Sequence, residues 1–396
     1  MNRVTPSCFI AVLVLALSAC STVNVKTAQE VPIAQENQDI AEAELLDIGI
    51  KIFDPGLEQV DDDDADKIIF PEIRLAESSY FPYLLMEAVQ SSNAWGAVRV
   101  IPKDHDSTDV SVEGKIITSD GETLVLDINA YDASGRHWFS KRYSHVSSLY
   151  AYKDKAHLRK EPFQTVYNKI ANDLNLHRKK LQSMQLIELR QIAELRFAQS
   201  LAPRVYSNHL AKDQAGQYDV KRLPANNDPM LNRIRQIRER DDLFVDTLQQ
   251  YYDSYVKEMK QPYQQWRQES YREVIALDKL KRQAFREKAA GTLAIIAGIL
   301  GVRSSDASVR AASAIAVTGG GYVIKSGFDR DADSQIHIET LLELGDSLEA
   351  SIAPHIIELE DRTVTLTGTV NNQYLQWRKI LQQLYQLETG DIQVTK

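Results

Sequence analysis

Two cysteines, Cys8 and Cys20, are all that the 396-residue chain contains, and both fall within its first twenty positions. No internal disulfide framework can staple the remainder, and no thiol is left there for nucleophilic or metal chemistry. The eight histidines never pair at ligand spacing, and neither His-Glu-x-x-His nor Gly-x-Ser-x-Gly occurs. No catalytic residue, metal or cofactor follows from the sequence, and a non-enzymatic protein is expected. Basic residues are also in deficit: 46 Lys and Arg face 55 Asp and Glu, for a net charge of −9. Nucleic acid, whose phosphates require clustered cations on one face, is not an expected partner. The apolar runs near residues 9–17, 289–302 and 311–324 are shorter than the ~20 residues that span a bilayer as a helix.

What is present begins at the N-terminus. Arg3 supplies a positive start, residues 9–17 an apolar stretch, and Ser18 and Ala19 the small side chains that suit a signal peptidase. The order Leu17-Ser18-Ala19-Cys20 resembles the lipobox of bacterial lipoproteins, in which cleavage after the small residue leaves an acylated cysteine as the new N-terminus. That resemblance implies cleavage after Ala19 and lipidation of Cys20. Several acyl chains on one cysteine hold a protein on a membrane, since each buried CH₂ contributes about 0.8 kcal/mol and one chain alone is marginal. Ser21 stands where inner-membrane lipoproteins often carry Asp, so the resemblance points to the outer membrane, with the chain facing the periplasm. Residues 1–19 are read as signal peptide and residues 20–39, polar and poor in large apolar side chains, as a flexible tether.

Residues 40–177 read as an α/β module. Ile48, Ile50 and Ile52 alternate as in a half-buried strand, and residues 72–92 read as a helix broken near Pro82. A short strand over 97–101 precedes three alternating strands over 110–118, 123–131 and 137–143. Their separators, Ser119-Asp120-Gly121 and Asp132-Ala133-Ser134-Gly135, have hairpin-turn composition. An amphipathic helix follows over 163–174. The acidic run at Asp61, Asp62, Asp63, Asp64 and Asp66 lacks the glycine of a calcium loop and reads as a solvated loop. His137 beside Trp138 reads as a structural histidine. This order of elements resembles the periplasmic module shared by curli-secretion-type lipoproteins and the auxiliary lipoproteins of envelope transport systems; no functional residue is carried over from it.

Residues 178–288 are helical in pattern almost throughout, with a loop or break over 200–229. Ile234, Ile237, Val245, Leu248, Tyr252, Tyr255, Met259, Tyr263, Trp266, Val274 and Leu277 keep a spacing near 3.6. One very long helix, or two joined around Pro262, is expected, with a kink at that proline. Residues 289–325 then read as an apolar helical hairpin. Ala290, Ala294 and Gly298, and likewise Ala297 and Gly301, sit four apart and form a small-residue seam for close helix approach. Each arm gives about 21 Å of helix, short of the ~30 Å hydrocarbon core. A buried core hairpin and a membrane-inserting or oligomerising one both remain open on the sequence.

Residues 332–396 read as a small α+β segment: a helix over 336–352, strands over 356–359 and 363–370, and a helix over 373–387. The stretch Val364-Thr365-Leu366-Thr367-Gly368-Thr369-Val370 between helices resembles the core of the BON domain of bacterial envelope proteins, which implies binding to membrane surfaces or envelope proteins. The whole is an α+β chain: an N-terminal α/β sandwich module, a long helical middle with an apolar hairpin, and a small α+β end. The expected function is that of a periplasmic scaffold or adaptor in an envelope assembly or transport system, anchored by lipid and engaging an envelope protein or further copies of itself. The alternative is an oligomeric membrane-active or secretion component that uses residues 289–324.

Overall fold

The computed structural model describes residues 30–57, 71–105, 107–153, 160–289, 355–358 and 363–389. Its elements are β1 (Ile48–Lys51), α1 (Pro71–Gln90), β2 (Val98–Ile101), β3 (Val110–Ser119), β4 (Thr123–Asp132), β5 (His137–Val146), α2 (Gln164–Arg178), α3 (Ser183–Leu201), α4 (Pro203–Tyr206), β6 (Leu210–Lys212), β7 (Tyr218–Val220), α5 (Pro229–Ala289), β8 (His355–Glu358), β9 (Thr363–Leu366) and α6 (Val370–Thr389). The expected α+β class is the observed one.

The first five strands form one mixed sheet in the order β2-β1-β3-β4-β5, with β1 parallel to both neighbours and β3-β4-β5 an antiparallel meander. Alternation sets its faces: Leu124, Leu126, Ile128 and Ala130 are buried, as are Ile48, Ile50, Val110 and Val112. Helices α1 and α2 pack together beneath the sheet. α1 is apolar on more than one side because α5 also packs on it, so Ile73, Ala76, Tyr80, Phe81, Leu84, Leu85 and Val89 are all buried.

α1 does not break at Pro82. A proline removes the bond to the carbonyl four residues earlier, here that of Ser78. That carbonyl accepts a hydrogen bond from the Phe53 amide at 2.9 Å, so the chain leaving β1 satisfies the acceptor the proline abandons. α5 likewise runs unbroken through Pro262 for 61 residues, about 90 Å at 1.5 Å per residue. The expected irregular stretch over 200–229 contains α4 and the small β6-β7 hairpin.

The chain between Val31 and Glu36 is docked where composition implied a free tether. Three asparagines on one face of α2 grip its backbone: Asn168 Nδ2 donates to the Val31 carbonyl (2.8 Å), Asn172 bonds both the Pro32 carbonyl (3.0 Å) and the Ala34 amide (2.8 Å), and Asn175 Nδ2 donates to the Ala34 carbonyl (3.2 Å). Their spacing of four and three residues puts all three on the same stripe. The Glu36 amide then donates to the Ser92 carbonyl, and its carboxylate meets Lys179 (3.0 Å) and Arg178 (3.5 Å).

At the C-terminal end, β8 and β9 pair antiparallel. The strand expected over 363–370 stops at Leu366, because Gly368 takes a positive φ and Val370 starts α6. α6 lies against α5, with Tyr374 and Trp377 facing Phe244.

Candidate functional site

The seven residues singled out from the sequence, Ala19, Cys20, Ala290, Ala294, Ala297, Gly298 and Gly301, lie outside the described residues, as do the acidic run at 61–66 and the expected hairpin. Among the described residues no helix is long and apolar enough to cross a membrane, and no cluster of His, Cys, Asp and Glu has the geometry to hold a metal ion. The described chemistry concentrates along the seam that joins α5 to the module, in three places.

The first is the open edge of the sheet. The amide of the Gln249 side chain acts as a surrogate strand: its Oε1 accepts from the Val100 amide (2.9 Å) and its Nε2 donates to the Val100 carbonyl (2.8 Å). Next to it Arg99 forks onto Asp246, with Nε at 2.6 Å and Nη2 at 3.0 Å from the two carboxylate oxygens. An uncovered strand edge templates pairing with other chains, and α5 closes this one with side chains.

The second lies deeper. Arg267 of α5 is completely buried, donates to Glu161 at 2.7 Å, and sits over the ring of Tyr263 at 4.0 Å and that of Phe163 at 5.0 Å. Burial opposes its charge, but Glu161 and the surrounding tyrosines hold it protonated. Beside it the carboxyl of Glu77, also fully buried, accepts from Ser119 Oγ at 2.5 Å and from the Tyr263 hydroxyl, with Arg74 3.7 Å away. Burial pushes Glu77 up, against the pull of Arg74 and the two hydroxyls. The β3-β4 turn completes this contact: Ser270 Oγ donates to the Asp120 carbonyl (2.6 Å), and a Cβ on Gly121 would stand 2.5 Å from the Arg267 carbonyl oxygen.

The third joins α5 and α6 to the 102–109 loop. Asp241, buried on the core face of α5, has one carboxylate oxygen 3.8 Å from His105 Nε2, 3.4 Å from the Tyr374 hydroxyl and 3.9 Å from Arg378. Ser107 Oγ lies 3.1 Å from the same His105 Nε2. Serine, histidine and aspartate thus meet, but not as a relay. Both partners face one ring nitrogen, while Nδ1 is buried with no hydrogen-bond partner among the described residues. A nucleophilic triad needs the acid on one nitrogen and the hydroxyl on the other. Burial lowers His105 to about 3 and raises Asp241 to about 6.

None of these groups was singled out in the sequence, although one signal was available. Asp241 stands four residues after Ile237 and four before Val245, and Arg267 four after Tyr263; each is a charged residue on the apolar stripe of the helix. His137 is exposed and packs its ring on Tyr131 at 5.0 Å, while Trp138 is buried and donates to Asp132 Oδ2 at 2.9 Å.

No protein-family model matches the chain, and no curated protein matches it. A crystal structure of a Xanthomonas campestris protein carrying the family label DUF330 is similar over 39% of this chain and 93% of its own, at 12% identity and a TM-score of 0.23. Likeness at that level carries no argument about what the chain does.

Proposed function

We propose that the chain is a non-enzymatic lipoprotein of the outer membrane, anchored through Cys20 and facing the periplasm, that serves as a scaffold or adaptor in an envelope assembly or transport system. The observation that carries this reading is the seam between α5 and the module. A helix of about 90 Å, held by a sealed sheet edge and two buried ionic clusters, makes a stiff arm on a folded body. The helix is buried as far as Val274 and continues to Ala289, where the apolar sequence begins. The lipobox sequence at the other end supports attachment to a membrane, and the Asn clamp on residues 31–34 ties that end to the body within a short span. An arm of this kind suits holding a partner at a set distance.

A second reading, an oligomeric membrane-active or secretion component, draws on the same continuation of α5 into the small-residue sequence of 290–324. One experiment separates the two. The chain is exported with Cys20→Ala behind a standard cleavable signal, and cells are fractionated. Release into the soluble periplasm, with in-cell crosslinking of the native protein capturing a reproducible envelope protein, supports the adaptor. Retention that resists high salt but yields to detergent overturns it in favour of the membrane-active reading.

A further inference from the structure

α3 walls a cavity of about 300 Å³ whose other sides are the 102–109 loop, Tyr218 of β7 and Arg378 of α6. Two guanidinium groups enter it from different elements. Arg196 of α3 lies over the Tyr218 ring at 5.1 Å and spends one donor, Nη1, on the Ala133 carbonyl at 2.8 Å. Arg378 lies over the Phe197 ring at 5.2 Å, donates Nη2 to Ser200 Oγ at 2.9 Å, and stands 3.9 Å from the buried Asp241. Arg196 forms no salt bridge with a carboxylate of the described residues, and Arg378 reaches its carboxylate only at that long distance, so most of their ten N–H donors are uncommitted. Aromatic faces fix both planes, which lowers the entropy cost of presenting those donors to a ligand. Lys212, outside the lining, also packs on the Tyr218 ring, 4.6 Å from its centroid. The one carboxylate on the wall, Asp104, takes a hydrogen bond from Asn371 Nδ2 at 3.1 Å. Buried Ser107 adds a hydroxyl to the lining.

We infer that this cavity binds a phosphate-bearing molecule. Two guanidinium forks from separate walls match a tetrahedral oxyanion better than a planar carboxylate, which one fork satisfies. The volume exceeds what a bare phosphate fills and lies at the lower end of small-molecule sites, and the rings of Phe197 and Tyr218 supply apolar surface for the remainder. A soluble phosphomonoester and a phospholipid headgroup share this chemistry.

The test is calorimetric titration of the full exported chain carrying Cys20→Ala, with glycerol phosphate as the probe. Arg196→Gln and Arg378→Gln each weaken binding by roughly tenfold or more, the loss expected for charge-assisted hydrogen bonds. Arg204→Gln, at an exposed arginine outside the cavity, leaves it unchanged, and Arg378→Lys, which keeps the charge, falls between. Matching circular dichroism shows that the variants are folded. Vesicles of phosphatidylglycerol then locate the source: binding that depends on both arginines and is displaced by glycerol phosphate assigns the headgroup, and independence from them assigns the soluble ester. No heat with glycerol phosphate or inorganic phosphate, or a loss in Arg204→Gln as large as in Arg196→Gln, overturns the inference.

Discussion

The contact between the β3-β4 turn and α5 is testable with a pair of glycines. Gly121 and Gly216 have nearly the same backbone, with φ of +84° and +82°, so alanine at either meets the left-handed penalty of about 1–2 kcal/mol. They differ in what surrounds them. At Gly121 a Cβ stands 2.5 Å from the Arg267 carbonyl oxygen and 2.9 Å from the Tyr271 amide nitrogen, backbone atoms of a buried helix that cannot swing aside. At Gly216 nothing lies within 4 Å. Gly121→Ala therefore adds an overpacking cost of about 1–3 kcal/mol, and the helix must lift from the turn, weakening the bond from Ser270 to Asp120. In thermal or denaturant unfolding, Gly216→Ala is expected to lower stability by about 1–2 kcal/mol and Gly121→Ala by roughly 1–3 kcal/mol more. Protease cleavage within α5 should accelerate in the second variant alone. Equal stabilities for the two variants would refute the claim that α5 rests directly on this turn.

The sheet edge gives a local readout: Gln249→Ala leaves the Val100 amide and carbonyl without partners, so stability should fall by about 1–3 kcal/mol and hydrogen exchange at Val100 should quicken before that of the central strands. Asp241 gives a pH dependence. Burial holds its folded-state value near 6, above the 3.8 of an unperturbed aspartate, so the folded protein binds the extra proton between those values. Its contribution is fully present below about pH 3.8 and is lost as pH rises through about 6. Wild type relative to Asp241→Asn should therefore be more stable at pH 4.5 than at pH 7.5, by about 2 kcal/mol, in paired denaturation curves. The lowered His105, present in both proteins, drops out of the comparison.

The strands were legible from turns with the right residues on either side of short apolar stretches, most clearly in β4, which alternates at every position. Asp120 and Asp132 cap those turns as their composition implied, Asp120 Oδ1 accepting from the Glu122 and Thr123 amides and Asp132 Oδ1 from the Ser134 amide. The helix expected to break at Pro82 was misread for a reason no local pattern contains: the acceptor freed by the proline is satisfied by Phe53, some thirty residues earlier in the chain. The docking of segment 31–36 is hidden in the same way, since its composition is that of a loop and its partners are distant in sequence: the asparagine stripe on α2, Ser92, Arg178 and Lys179. Nothing local in the sequence brings Arg196 and Arg378 to one cavity: they are 182 positions apart, and both line it only because α6 packs on α5.

Under the proposed anchorage at Cys20, that asparagine stripe would limit how far the body stands from the bilayer. Eleven positions separate Cys20 from the clamp at Val31, a contour of at most roughly 40 Å. Releasing residues 31–36 from the three asparagines, from Ser92 and from Lys179 and Arg178 would lengthen that span by five residues, so under this anchorage the reach of the body depends on those contacts.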